Sequence, residues 1–282
     1  MARSLVTKKT QTIGLIIPDV RNPFFTDLVR SVEDVAERCG YNVFFCNTDE
    51  SLKKEIKSIN AMVERQVEGL VIVPASKIDC DDKKRLETNV PIVVIDRDAN
   101  YKKVIGKVLS DNYQGAYKAT KHLIELGHKK IAFISGPIEI KPSIERKQGF
   151  LDSCKDNGVL VTDENIWIGS FTVDFGKEII KKVGSKFSAF FCGNDLIAAG
   201  AIQGLREDNL LVPKDVSIVG FDDIPLANIL TPTLTTVRQD SYRIGLEAAE
   251  ILIKYLNNPK LKSKTITLTT DLIKRDSVGK VD

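Results

Sequence analysis

The chain has 282 residues, of which 43% are hydrophobic and 28% charged, with a net charge of +3. Such a length holds two lobes with ordinary cores, while so small a charge, without any Lys/Arg block, excludes nucleic-acid binding over the surface as a whole. No apolar run approaches membrane-spanning length, MARSLVTKKTQ lacks the apolar stretch of a signal peptide, and five cysteines (Cys39, Cys46, Cys80, Cys154, Cys192) are dispersed without a CxxC pair; the expectation is a cytoplasmic protein with reduced thiols, no zinc and no membrane segment.

Ile13 to Ile17 read as a buried strand stopped by Pro18 and Asp19. After a loop Arg21-Asn22-Pro23-Phe24-Phe25, apolar Leu28, Val32, Val35, Ala36 and Cys39 recur at helical spacing up to Gly40, a residue suited to the left-handed turn that ends a helix. Val43 to Cys46 form the next strand, Ile56, Ile59, Val63 and Val67 mark a second helix, and Gly69 to Val73 form a third strand. A charged segment from Asp79 to Glu87 precedes Ile92 to Ile95, another buried strand, which ends on Asp96-Arg97. Alternation of this kind predicts a doubly wound α/β sheet.

The pattern then starts again. A helix from Asp111 to Leu126 and a strand from Lys130 to Ile134 lead to Ser135-Gly136-Pro137, and a helix around Arg146 to Asp156 follows. Ile166 to Ile168, Ala189 to Cys192 and Val216 to Phe221 supply strands, with helices at about Phe175 to Val183 and Asp195 to Asp208 between them. Two similar halves are the economical interpretation. Val216 to Asp240 holds two polar strand ends, Asp222-Asp223 and Gln239-Asp240, within one short segment, as a cleft between two lobes requires. One more amphipathic helix, with Ile244, Ala248, Ile251, Leu252 and Tyr255 on one side, has two possible hosts, and periodicity does not choose between them.

Several segments carry a family resemblance in the same order: Ile13-Gly14-Leu15-Ile16 with Asn22-Pro23-Phe24-Phe25, Gly127-His128-Lys129-Lys130-Ile131-Ala132, Gly193-Asn194-Asp195, and above all Val216 to Gln239. On these the chain resembles the effector-binding core of the LacI family of transcription regulators and, more distantly, the periplasmic sugar-binding proteins. The resemblance implies two doubly wound parallel-sheet lobes joined by three crossovers: residues 11–109 with 240–269, and residues 110–239 with 270–282. It returns the C-terminal helix to the first lobe and ends the last strand, near Asp271 to Arg275, in the second. It also implies a homodimer, and operator DNA contacted through a helix-turn-helix head that this chain lacks. Residues 1–10 are by this resemblance a remnant of hinge helix and linker, with Ala2-Arg3-Ser4-Leu5 matching the end of the helix, where Leu5 would wedge into the DNA minor groove; a frayed terminus without DNA contact is the alternative. A phosphocarrier protein as co-regulator is left open.

A sugar needs acceptors and donors for its hydroxyls and an aromatic plate for its C–H face. Asp96 and Arg97 follow a strand and can accept from and donate to hydroxyls; a surface ion pair is the bland alternative. Phe24 and Phe25 are aromatic candidates, and core packing is expected to claim one of them. Arg146, at the start of its helix, can clamp a ring oxygen. At Asn194-Asp195 the expected division is that Asp195 caps the helix and Asn194 binds. Asp222 is the foremost acceptor, Asp223 a turn residue, and Gln239 sits at a crossover. By resemblance to ribose-binding members, Asn22, Phe24, Phe25, Asp96, Arg97, Arg146, Asn194, Asp222 and Gln239 match pentose-binding positions, with a further aromatic from Phe171 or Phe175.

The expected function is therefore a sugar-responsive repressor core for D-ribose or a related pentose, with a transporter's solute-binding receptor as the alternative. An enzyme is disfavoured, because GxGxxG, GxxxxGK[ST] and GxSxG are all missing and only two histidines exist. His122 and His128 are too far apart for an i,i+4 metal pair, and neither a metal nor a cofactor is expected.

Overall fold

The computed structural model describes residues 10–75, 88–99 and 101–281; Leu5, Cys80 and the charged segment 79–87 lie outside these residues. The chain forms two compact α/β units and passes between them three times. The first unit runs up to Leu109 and resumes for Asp240–Leu268; the second comprises Ser110–Gln239 and the residues from Thr269 onward.

In the first unit, strands β1 (Thr12–Ile17), β2 (Asn42–Asn47), β3 (Gly69–Ile72), β4 (Ile92–Ile95) and β5 (Val104–Ser110) are joined by a later strand at one edge. The pairs β1–β2, β1–β3, β3–β4 and β4–β5 are all parallel. β1, β3 and β4 are buried along their whole length, the signature of strands covered on both faces.

Helix α1 (Pro23–Arg38) begins earlier than the spacing of its apolar residues predicts. Pro23 starts the helix rather than stopping it: its fixed φ suits the first helical position, and Asn22 caps the end by accepting from the Phe24 amide at 3.1 Å. Helix α2 (Leu52–Glu64) sets Ile59 and Met62 against Ile16, Leu70 and Ile72. Periodicity does not announce β5, because Gly106 and Lys107 interrupt its apolar run, yet it pairs along β4.

The second unit contains α3 (Asn112–Glu125), β6 (Ile131–Ser135), α4 (Lys141–Asp156), β7 (Ile166–Ile168), α5 (Val173–Val183), β8 (Ala189–Cys192), α6 (Asp195–Glu207), β9 (Ser217–Asp222) and β10 (Thr235–Arg238). The next two elements, α7 (Ser241–Asn257) and β11 (Lys264–Leu268), belong to the first unit, where β11 is the strand beyond β5. β12 (Asp271–Ile273) closes the second sheet, antiparallel to β10, and the sheet is otherwise parallel.

Alternate side chains of the second sheet feed two cores. Ala132, Ile134, Phe190, Cys192 and Ile218 meet α5 and α6 on one face; Phe133, Phe191, Val219 and Phe221 meet α3 and α4 on the other. Phe133 stacks on Phe150 at 5.4 Å and on Phe191 at 5.0 Å between ring centroids. In the first unit α7 packs on α1, so the helix that periodicity could not place is hosted there. Both units therefore have the doubly wound architecture, and ligands of such sheets bind outside the carboxyl ends of the strands.

Candidate ligand-binding residues

In the first unit the loops that leave β1, β2, β3 and β4 at their carboxyl ends are tied together. The Glu50 amide donates to Pro18 O at 3.0 Å, and Arg97 Nη1 donates to Pro74 O at 3.1 Å. Asp96 has φ of +61°, a region that non-glycine residues enter rarely and Asp more readily than most. Asp96 and Arg97 are 6% and 4% exposed, which rules out a surface ion pair.

Arg97 instead makes a bidentate bridge to Glu50, Nη1 to Oε2 at 2.6 Å and Nη2 to Oε1 at 2.8 Å. Burial lowers the basicity of the guanidinium, but the hydrogen bonds and charge of Glu50 outweigh it, so the group is held above its ordinary pKa. Its Nε lies 3.7 Å from Asp96 Oδ2 and is buried without a hydrogen-bond partner among the described residues. Behind this pair the wholly buried Glu55 accepts from the Ala75 amide at 2.5 Å and the Tyr101 hydroxyl at 2.9 Å. Burial, reinforced by the Glu55 charge, pushes the Tyr101 phenol well up and keeps it a donor.

Phe24 and Phe25 occupy the first turn of α1 rather than a loop. They pack edge to face at 5.1 Å between centroids and are 4% and 3% exposed, so both, not one, have a packing role. The Asn22 carboxamide oxygen is engaged in the cap of α1.

In the second unit Arg146 is the centre. α4 starts at Lys141, so Arg146 lies in its second turn rather than at its beginning. Its Nε donates to Asn112 Oδ1 at 2.9 Å, Nη1 donates to Gly193 O at 2.6 Å, and Nη2 stands 3.5 Å from Asp222 Oδ1. The guanidinium lies 3.8 Å over the Phe221 ring and 6.0 Å from the Phe171 ring, distances at which cation–π attraction acts. Asp222, at φ of +108°, also accepts from Gln239 Nε2 at 2.7 Å. The Gln239 Oε1 is buried and accepts from no group among the described residues. Asp223, at φ of +59°, turns the chain and holds Arg238 at 2.7 Å and Arg275 at 2.6 Å.

The two later aromatics lie in different surroundings. Phe171 lies against Gly136, where a Cβ would come within 2.2 Å of the ring, and reaches the Arg146 group; Phe175 lies over Gly169. The cap expected of Asp195 falls to Asn194 instead. Asn194 is the cap of α6, accepting from the Ile197 amide at 2.9 Å. Asp195 is wholly buried, accepting from Thr236 Oγ1 at 2.5 Å and the Ile224 amide at 2.9 Å. Burial, and then the Asp222 charge, raises its pKa well above the ordinary carboxylate range. The cap falls to Asn194 because its extended backbone, not the helical backbone of Asp195, lets a side-chain oxygen reach forward to the third amide.

Glu50, Glu55 and Asn112 are not among the residues that the sequence pattern singles out. Asn112 follows the end of β5, so recognising that strand would place it; Glu50 is 47 residues from its partner, and nothing local announces it.

The periplasmic binding protein-like domain model matches residues 120–278. The chain is 37% identical over 281 residues to the ribose operon repressor of Halalkalibacterium halodurans, covering 98% of this chain and 82% of that protein. It is 35% identical over 272 residues to catabolite control protein A of Priestia megaterium, covering 95% and 82%. Among solved structures, a LacI family transcriptional regulator from Enterococcus faecium with bound ribose superposes with a TM-score of 0.83 at 27% identity, over 96% of this chain and 100% of that one. With this fold, these buried polar groups at the strand ends and these relatives, the chain belongs to the LacI family of transcription regulators and spans its effector-binding core.

Proposed function

We propose that this is the effector-binding and dimerisation core of a sugar-responsive repressor, and that its effector is D-ribose or a closely related pentose. One observation carries the reading. Each unit sets a carboxylate at positive φ beside a buried guanidinium at the carboxyl end of its sheet, Asp96 with Arg97 and Asp222 with Arg146. A hydroxyl placed between Arg97 Nε and Asp96 accepts from the Nε–H through its oxygen and donates its O–H to the carboxylate. Asp222 and the Gln239 carbonyl oxygen supply acceptors in the second unit, and Phe171 supplies an apolar face. The relative named for the ribose operon and the ribose-bound neighbour support a pentose.

Operator DNA is read by a head of the kind the family carries ahead of this core, and effector occupancy changes its affinity through a coupling free energy between two sites. The core pairs with a second copy of itself; Phe44 and Phe45, each 42% exposed on the edge strand β2, offer apolar surface for that contact. Calorimetry against pentoses, hexoses and purines tests the ligand class: saturable heat with ribose is expected, and no heat with any pentose overturns the reading. Sedimentation of the same sample is expected to give a dimer.

A further inference from the structure

The Arg97 guanidinium has five N–H donors in a planar fork, the geometry that grips a phosphate or carboxylate with two parallel hydrogen bonds. In this molecule the outer edge of the fork is already filled. Both terminal nitrogens donate to the Glu50 carboxylate at 2.6 and 2.8 Å, and Nη1 also donates to Pro74 O at 3.1 Å. The Glu50 backbone sits at φ of +57° with its amide donating to Pro18 O, and its side chain, 43% exposed, reaches Arg97 from the solvent side. The donors that remain are Nε, which is buried beside Asp96, and one N–H of Nη2.

Among the described residues, the charges of Glu50, Asp96 and the wholly buried Glu55 all act on this one guanidinium. A dianionic phosphate brought here meets carboxylates and finds the end of the fork already bridged by Glu50, whereas an uncharged hydroxyl needs only Nε and a carboxylate oxygen.

We propose that Glu50 is a specificity-determining residue of this set: by occupying the guanidinium fork of Arg97 it admits an uncharged sugar and turns away a phosphorylated one. Glu50 acts through Arg97 and is a positioning residue; the inference rests on the reading that Asp96 and Arg97 hold the effector.

The experiment is calorimetry of the wild-type chain, Glu50→Gln and Glu50→Asp with D-ribose and with D-ribose 5-phosphate. The wild type is expected to bind ribose roughly 100-fold more tightly than the phosphate ester, since specificity here is built by repulsion as well as attraction. Glu50→Gln, which removes the charge and one of the two acceptors from the fork, is expected to narrow that ratio by about tenfold or more through tighter binding of the ester, and Glu50→Asp to restore part of it. A purely structural role lowers both affinities together and leaves their ratio unchanged, and that result overturns the inference while ribose binding by the wild type keeps the functional reading intact. Wild-type affinity for the ester equal to that for ribose overturns it too. Absence of binding to either sugar in the wild type removes the functional reading, and the inference with it.

Discussion

The two units solve one chemical problem in different ways. In the first, carboxylate and guanidinium are adjacent in sequence, Asp96-Arg97, and a second carboxylate, Glu50, fixes the arginine. In the second, the arginine arrives from helix α4, and neutral acceptors fix it, the Asn112 side chain and the Gly193 carbonyl, over the Phe221 ring. The first arrangement neutralises its cation locally with a bidentate bridge; the second sets Arg146 against Asp222 at a longer distance. A buried guanidinium can thus be oriented by charge or by neutral hydrogen bonds, and the choice decides how much positive potential remains for a ligand.

The strongest test of this contrast replaces the two acceptors in turn. Asp222→Asn removes the carboxylate that stands 3.5 Å from the buried Arg146 guanidinium, and ribose affinity is expected to fall roughly 100-fold, about 2.7 kcal/mol. Asp96→Asn leaves Arg97 with Glu50, and the loss is expected to be nearer tenfold, about 1.4 kcal/mol. Calorimetry showing the larger loss at Asp96 breaks the comparison.

A second pair sharpens it. Glu55 and Asp195 are wholly buried carboxylates, one per unit, each accepting one backbone amide and one hydroxyl. Glu55→Ala and Asp195→Ala each orphan two buried donors and are expected to cost about 2–4 kcal/mol in urea denaturation. Asp195→Asn, whose amide accepts from Ile224 and donates to Thr236, is expected to stay within about 1 kcal/mol of the parent. The raised pKa of Asp195 fixes a sign: above its ordinary value of 3.8 the unfolded chain gives up this proton first, so the contribution of this group to stability declines as pH rises toward its folded pKa. Asp195→Asn is expected to remove that decline.

The smallest effect separates the units by pH. Both histidines, His122 and His128, lie in the second unit. His128 is 3% exposed, its ring nitrogens held by Ser188 Oγ at 2.9 Å and Gly279 O at 3.1 Å, and burial lowers its pKa below the ordinary 6.5. The unfolded chain therefore takes up the proton first as pH falls, and the stabilising contribution of neutral His128 is lost below about 6.5. Thermal unfolding between pH 8 and 5 is expected to show Tm falling on the acid side, with a shallower slope in His128→Gln; an unchanged slope would show that this ring does not govern it.

The strand ends are legible in the sequence because a fully buried parallel strand is a short β-branched run, and a charged residue directly after it has few places to be except the carboxyl edge. Asp96, Arg97 and Asp222 stand out that way, and the fold follows from the alternation. Phe24 and Phe25 read as loop residues only if Pro23 is a stop, whereas a proline with Asn before it begins a helix equally well. The cap falls to Asn194 rather than Asp195 because two adjacent polar residues at a helix start differ only in backbone angle, which composition does not report. Glu50 and Asn112 stay hidden for one reason: each is defined by an arginine brought to it through the sheet, 47 and 34 residues away.

The packing of α7 on α1 has a consequence for biosynthesis. Leu28 and Ser31 of α1 meet Gly245 of α7, more than 200 residues later in the chain, so a nascent polypeptide leaves the ribosome with that face of α1 uncovered until α7 has been made. Premature termination anywhere before α7 yields a product whose first unit cannot close its own core, and such fragments are natural clients for chaperones and proteases rather than shortened sensors.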